Sequence, residues 1–412
     1  MARQPLHLFE GFGVEIEYMI VDKASLDVRP IADLVLEAAA GEIVSEYEFA
    51  DLGWSNELAL HVIELKTNGP VASFDGLADV FQRHVQQING ILAPQAAQLM
   101  PTAAHPWMDS HTQLKLWPHD YSPVYEAYNR IFDCRGHGWA NLQSVHLNLP
   151  FADADEFGRL HSAIRLVLPL LPALAASSPF LDGRSTGLMD SRLDVYAGNA
   201  RKIPQVTGRV IPEAAFTPDD YQSQILQPMY EAISPYDPER ILQFEWLNSR
   251  GAIARFDRNA IEIRLLDCQE CPNVDIAICR FIAEITKALC NERWTSTSAQ
   301  QSVSTDSLAE LLPAVIRDAD QAVVTDSLIL ESFGLPPSAR SAGEIWTHLA
   351  MQMGFMDESW YAPVRWILDR GPLSRRILKS VGDDEPGRLL PTYHALCECL
   401  AAGRMFDANA YR

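Results

Sequence analysis

An α+β fold is what this 412-residue sequence predicts: a largely antiparallel sheet with helices gathered at one side and in the C-terminal third. Three observations carry that expectation. Strand-like stretches with alternating polar and aliphatic residues recur through the first two thirds of the chain. Stretches with helical apolar spacing separate them. From about residue 295 onward the pattern is helical throughout. No internal repeat or low-complexity tract interrupts this order.

The elements follow in sequence. Gly13–Asp22 and Ala59–Thr67 read as strands, which makes the first 70 residues strand-rich. Residues 72–100 have a helical period, with Leu77, Val80, Phe81, Val85, Ile88 and Leu92 on one side. Residues 101–140 are rich in proline and aromatics and read as loop. Gln143–Phe151 is a strand, and Ala152–Ala176 a helix that ends at Ser177-Ser178-Pro179. Residues 179–225 look irregular. Trp246–Leu266 holds two short strands around the turn-like Asp257-Arg258-Asn259. Pro272–Asn291 is a helix, with Ile276, Cys279, Ile282, Ile285 and Leu289 in register. Ser307–Asp318, Ala342–Met353, Val364–Leu368, Leu373–Ser380 and Pro391–Ala402 are the expected later helices. The expected division is a catalytic sheet with its helices over residues 1–294 and a helical region over 295–412, packed on the same domain.

Charge and cysteines narrow the function. With 33 Lys+Arg against 54 Asp+Glu, the net charge is −21. That argues against nucleic acid, whose phosphates demand a basic face, and against anionic membrane surfaces. The longest apolar stretch, Leu166 to Ala176, contains two prolines and is too short to span a bilayer. The opening residues lack the apolar core and small-residue cleavage site of a secretory leader. The seven cysteines show no disulfide framework. The expectation is a cytoplasmic protein with reduced thiols and small-molecule partners. A homo-oligomer is compatible with the sequence.

Four strands share one peculiarity. Glu15 and Glu17, Glu64 and Lys66, His146 and Asn148, and Glu262 and Arg264 each sit at i and i+2 between aliphatic neighbours. Side chains alternate faces along a strand, so each polar pair shares a face. The commonplace cause of such alternation is a solvated outer face. The residue types oppose it, because a solvated face favours Thr, Ser and Lys. Glu, His, Asn and Arg are ligands and phosphate binders, and a face collecting several Glu is costly without cations. Mg²⁺ takes carboxylate oxygens and leaves positions for water and phosphate. Glu15, Glu17, Glu57, Glu64 and Glu262 offer carboxylates and His146 a nitrogen, while the planar fork of Arg264 suits a phosphoryl group. There is no GxxxxGK[ST] loop, no dinucleotide fingerprint, no HExxH and no GxSxG.

These motifs together resemble the glutamate–cysteine ligase type 2 family of carboxylate–amine ligases. Gly13-Val14-Glu15-Ile16-Glu17 resembles the family's GxExE strand, and Glu57 and Glu64 its next acidic pair. Gln143-Ser144-Val145-His146-Leu147-Asn148 resembles its HxHxN-like strand, with Ser144 in place of the first His. Ser177-Ser178-Pro179-Phe180, Gly183-Arg184-Ser185-Thr186-Gly187 and Ser191-Arg192 resemble a further stretch. Trp246–Arg250 followed by Ile261–Asp267 resembles the last block. The resemblance covers residues 10–290 in order.

The resemblance implies a glutamine synthetase-like fold: an antiparallel sheet funnel with helices on its outer side and a helical C-terminal region. It implies ATP with two or three Mg²⁺ ions (Mn²⁺ as a substitute) and an acyl-phosphate route to an amide. Carried across, Glu15, Glu17, Glu57, Glu64, His146 and Glu262 become metal ligands, with Glu17 as a ligand or as the residue that orients one. Arg264 contacts the transferring phosphoryl, and Arg250 and Arg255 support the ATP phosphates. Asn148 belongs to the same ligand strand and is expected at the substrate. Arg184 and Arg192 are candidates for a substrate carboxylate, with loop-anchoring salt bridges as the other reading. His137-Gly138-Trp139 is the best candidate within 101–140 for a substrate or nucleotide contact. The activity implied is ligation of glutamate to cysteine or another amine. A metal-dependent hydrolase and a guanidine kinase are the alternatives for the same carboxylate-lined sheet.

Overall fold

Alternating residues build a mixed polar and apolar sheet, and its apolar face decides where the helices go. The structure, a computed structural model, describes residues 5–410; readings that touch residues 1–4 and 411–412 lie outside the described residues. The strands are β1 (Gly13–Asp22), β2 (Glu46–Glu48), β3 (Gly53–Asn56), β4 (Val62–Lys66), β5 (Ala97–Met100) and β6 (Ser144–Pro150). A small hairpin, β7 (Phe180–Leu181) and β8 (Arg184–Ser185), precedes β9 (Ala252–Arg255) and β10 (Ala260–Asp267). The main sheet runs β2-β3-β4-β1-β6-β10-β9, with β5 on the second half of β1, and its pairings are antiparallel.

One face is dry. Val14, Ile16, Tyr18 and Ile20 of β1, Ile63 and Leu65 of β4, Val145, Leu147 and Leu149 of β6, and Ile261 and Ile263 of β10 enter one continuous core. The helices Leu77–Leu92, Ala154–Val167 and Pro272–Cys290 cover it, through Phe81, Val85 and Ile88, Leu160 and Ile164, and Phe281, Ile282 and Ile285. Asp153 caps the second of these by accepting from the Glu156 N–H, and Pro272 opens the third at a position that needs no N–H. The same core takes in Trp346, whose indole N–H donates to the Leu170 carbonyl at 2.9 Å, so the later helices pack on the sheet's own helices.

The second face divides along its length. Glu15 and Glu17 lie at one end of β1; Met19 and Val21 continue the same face at the other. The helices Leu373–Val381 and Glu385–Ala402 cover that second end with Leu373, Ile377, Tyr393 and Leu396.

Several elements differ from the sequence reading. The helix expected over 72–100 stops at Leu92, and Ala97–Met100 is strand β5, drawn out by pairing with β1. The expected strand 59–67 narrows to Val62–Lys66. Strands β2 and β3 went unforeseen because each is short and completed by its neighbour. Residues 101–140 hold a helix, Ser122–Phe132, in which Pro123 occupies the first turn and so starts the helix instead of breaking it. Asp190 caps a further helix, Ser191–Ala197, inside the stretch read as irregular. The last helix starts at Glu385, six residues before Pro391. All seven cysteines are buried, and none of them forms a disulfide. Among the described residues no helix is long and apolar enough to cross a membrane.

Candidate active site

Register brings the polar pairs together. Glu15 stands opposite His146 on one side of β1 and Lys66 on the other; Glu17 stands opposite Glu64. Glu262 of β10 faces Asn148, and Gly13 of β1 faces Asn148 from the opposite edge. A Cβ on Gly13 would sit 2.9 Å from that of Asn148, so glycine is what lets the two strands close here. A bulge between Ile263 and Leu266 shifts β10 against β6, which sets Arg264 beside Glu262 and Asp267 opposite Ser144.

Hydrogen bonds fix the cluster. His146 Nδ1 lies 2.9 Å from Glu15 Oε2 and 3.8 Å from Glu262 Oε1. Glu15, His146 and Glu262 each offer a ligand atom, and these atoms lie within 4.8 Å of one another. Asn148 Nδ2 donates to Glu15 Oε1 at 3.1 Å. Glu17 is anchored by Ser144, whose backbone N–H donates to Oε2 at 2.7 Å and whose hydroxyl donates at 3.1 Å. Ser144, the departure from the family strand, thus orients an acidic group, and its hydroxyl also sits 3.0 Å from His146 Nε2. Arg264 reaches Glu262 Oε1 from Nη2 at 2.8 Å; Arg255 Nη1 approaches Glu262 Oε2 at 3.6 Å. The Ser55 hydroxyl donates to Glu64 Oε2 at 2.5 Å, and Lys66 Nζ stands 3.4 Å from the same oxygen.

The electrostatics show strain among like charges. Burial, then the charges of Glu17 and Glu64, push the Glu57 carboxyl well above the usual range. Burial, then the charge of Glu15, push Glu64 up to about 7. Burial opposes the charged forms of Glu15 and His146 as well, but their mutual hydrogen bond and attraction win: Glu15 is held down to about 2 and His146 is lifted to about 9. Burial likewise works against the Arg264 guanidinium, yet Glu262 and Tyr196 push its pKa further up.

Two cavities open on this cluster. The larger, about 720 Å³, is lined by eight carboxylates (Glu15, Glu17, Glu46, Glu48, Glu57, Glu64, Asp257, Glu262) and by Lys66, Arg255, Arg258 and Arg264. Eight acids face four fixed cations and His146, and the upward shifts of Glu57 and Glu64 mark the strain of that excess, of the kind that hard divalent cations relieve. The smaller, about 220 Å³, is lined by Tyr125, Tyr128, Trp139, Tyr196 and Trp246, with Arg192, Ser144 and Ser249. Four side chains line both: Glu17, Glu57, His146 and Arg264. They form the seam between the chambers.

Of the residues singled out from sequence, Glu15, Glu17, Glu57, Glu64, His146, Asn148, Glu262, Arg255 and Arg264 converge on the larger cavity. Arg192 lines the smaller one; it is buried, its Nε donates to Asp267 Oδ1 at 2.5 Å, and its Nη2 has no hydrogen-bond partner. Arg184 is exposed on the β7–β8 hairpin, and Arg250 is buried in a two-point pairing with Glu213 at 2.6 and 2.7 Å; neither lines either cavity. Gly138 and Trp139 line the smaller cavity, while His137 Nε2 is turned to Asp182 at 3.0 Å. Lys66 and Arg258 went unassigned from sequence, although the basic residue two after Glu64 was a signal for the first. Tyr125, Tyr128 and Tyr196 were hidden in stretches read as irregular. Asp267, the end of the last motif block, holds Arg192 and accepts from the Ser177 N–H at 2.7 Å.

An antiparallel sheet with one helix-covered face and an open face of carboxylates, His and Arg is the architecture of the glutamine synthetase-like carboxylate–amine ligases. A solved glutamate–cysteine ligase of Francisella tularensis, in complex with AMP, aligns with a TM-score of 0.58 over 96% of this chain and 89% of that one; at 12% identity this is a likeness of fold. The chain belongs to glutamate–cysteine ligase family 2, whose family model matches residues 11–390. An uncharacterised protein of Archaeoglobus fulgidus is 30% identical over 394 residues, 96% of this chain and 99% of its own length. A Paracoccus denitrificans protein named "Putative glutamate--cysteine ligase 2" is 30% identical over 277 residues, 65% of this chain and 63% of its own.

Proposed function

We propose that the chain is an ATP- and Mg²⁺-dependent carboxylate–amine ligase that joins an amino-acid carboxylate, glutamate in the first instance, to an amine through an acyl phosphate. The observation that carries this reading is the seam: one carboxylate-lined chamber and one amino-acid-sized chamber meet at Glu17, Glu57, His146 and Arg264. A phosphoryl donor on one side and a carboxylate on the other would face each other there.

The donor set suits a hard cation, because Glu15, His146 and Glu262 converge and the neighbouring Glu57 and Glu64 are pushed toward their protonated forms, which a bound cation would reverse. Bound there, Mg²⁺ supplies charge neutralisation and polarisation to phosphoryl oxygens. Arg255 and Arg264 bind triphosphate oxygens through their planar forks. Arg264, at the seam, stabilises the charge that develops on the transferring group. Glu17, fixed by Ser144, orients groups at the same point. Arg192, locked by Asp267, presents its free Nη2 side to a substrate carboxylate. A carboxylate oxygen attacks the γ-phosphorus and ADP leaves. The amine nitrogen then attacks the acyl carbon, the carbon–oxygen bond breaks, phosphate leaves, and the amine's proton goes to solvent. No protein nucleophile is required.

The test is phosphate release with ATP, Mg²⁺ and L-glutamate, amino acids and simple amines being added singly. Amine-dependent phosphate release is the expected result. Release that needs no ATP would signal a hydrolase, a stable phosphoguanidine product a kinase, and either would end the ligase reading.

A further inference from the structure

The walls of the smaller chamber carry information about the acceptor. Its charged floor comes from the strands: Glu17, His146 and Arg264. Its walls come from the helix Ser122–Phe132, the turn at 137–140, the helix Ser191–Ala197 and the turn at 245–247, and each contributes an aromatic ring. Trp139, Tyr196 and Trp246 are only half-buried. The rings form a chain: Trp139 to Tyr128 at 5.2 Å, Tyr128 to Trp246 at 6.0 Å, and Trp246 stacked at 5.8 Å and 11° on Phe244. Phe244 is 53% exposed, so the aromatic track continues to the surface.

Apolar ring area left uncovered in a cleft gains about 25 cal/mol per Å² when a ligand covers it. A short polar donor such as glutamate, held by Arg192 at the floor, covers little of it, and a thiol side chain little more. The ligase reading assigns the nucleotide phosphates to the other chamber, where Lys66, Arg255 and Arg258 are found. We propose that the acceptor is an amine carrying an aromatic ring, its nitrogen at the acidic floor beside Glu17 and Glu57 and its ring against Trp139, Tyr128 and Trp246. This rests on the ligase reading. The product is an amide in which the acceptor nitrogen has displaced phosphate from the acyl carbon, with ATP as the source of the phosphoryl group and the nitrogen's proton released.

The experiment uses the full chain and two readouts. In the first, kcat/KM for phosphate release at saturating ATP, Mg²⁺ and L-glutamate is compared for 2-phenylethylamine, L-phenylalanine, L-cysteine and methylamine. A ring-bearing amine is expected to exceed L-cysteine and methylamine by about tenfold or more, the order of one well-covered ring. In the second, calorimetry follows binding of 2-phenylethylamine and, separately, of ATP with Mg²⁺. Trp246→Ala is expected to weaken the amine about tenfold, and Trp246→Phe to restore most of that affinity. Phosphate release driven best by L-cysteine or methylamine overturns the ring preference and leaves the ligase reading standing. Trp246-dependent amine binding without phosphate release from any amine overturns both. A loss in Trp246→Ala of ATP affinity instead of amine affinity also overturns the assignment, since the rings would then hold adenine.

Discussion

One face of β1 carries Glu15 and Glu17 at its first end and Met19 and Val21 at its second. The backbone is continuous and the alternation unbroken, yet the two ends do different work. At the second end the helices Leu373–Val381 and Glu385–Ala402 lie on the face, and the residues beneath are fully buried. At the first end the face is not sealed, and it opens into two chambers. The contrast teaches that alternation alone does not mark a site. Where a layer covers the strand, the residue types turn apolar; where the face stays open, charge is kept and the neighbours Ser144, Asn148 and Ser55 fix its orientation.

The comparison breaks most sharply if the open end proves dispensable. Glu262→Gln and Arg264→Ala are expected to lower turnover by roughly a thousandfold or more, as loss of a group that meets developing charge does, with thermal unfolding near that of the parent. Turnover within tenfold of the parent in either variant would remove that residue from the chemistry. The covered end should behave oppositely. Leu396→Ala deletes a fully buried side chain and should cost about 2–5 kcal/mol of stability, while activity per folded molecule is retained. Calorimetric unfolding beside a titration of active molecules separates the two effects, and a large drop in specific activity would argue against the division.

How legible this contrast was depends on the range of the interactions. The paired polar residues of β1, β4, β6 and β10 were readable because a period of two is local and Glu, His and Arg are unusual on a solvated face. The dry face was readable for the same reason. Which pairs meet was not, since the opposition of Glu15 to His146 and of Glu17 to Glu64 is a matter of strand order, and the bulge that seats Arg264 has no local signature. The arginines show the limit clearly. Arg192, Arg250 and Arg264 look alike in sequence. Partners far along the chain, Asp267 and Glu213, bury the first two in ion pairs, while Arg264 pairs with Glu262 two residues away and stays at the seam. Of the aromatic walls, Trp139 stands out in the sequence, whereas Tyr125 and Tyr128 do not, because the proline-rich stretch reads as loop where Pro123 begins a helix.

A smaller effect divides the open end itself. Arg255 lines only the larger chamber and Trp139 only the smaller. Arg255→Ala should raise KM for ATP about tenfold, the size of one charge-assisted contact, with KM for the amine near that of the parent. Trp139→Ala should do the reverse. Steady-state kinetics with each substrate varied in turn checks both, and a variant that moved the two KM values together would merge the chambers.

The smallest expected effect is a pH dependence confined to the open end. In metal-free protein, His146 is lifted to about 9 from an ordinary 6.5, so its contribution is full below 6.5 and fades as pH rises through 9. Glu64, pushed up to about 7 from 4.5, contributes stability below 4.5 that is lost as pH rises through 7, and Glu57 has the same sign. Glu15, held at about 2, opposes them only in acid, where its contribution disappears as pH falls from 4.5 through 2. From pH 6 to pH 9 the resolved terms at the cluster therefore point one way, and Tm in a chelator should fall. Mg²⁺ binds the ionised carboxylates, so its stabilisation should grow over the same interval, reaching about 2.7 kcal/mol at a hundred times Kd. The gap between the Mg²⁺ and chelator curves should widen with pH in the parent and in Leu396→Ala, which shifts both curves equally. In Glu262→Gln, which removes a charge from the cluster, the widening should shrink. Parallel curves in the parent would mean that the carboxylate face carries its charge without a cation, and the two ends of β1 would then differ in polarity but not in function.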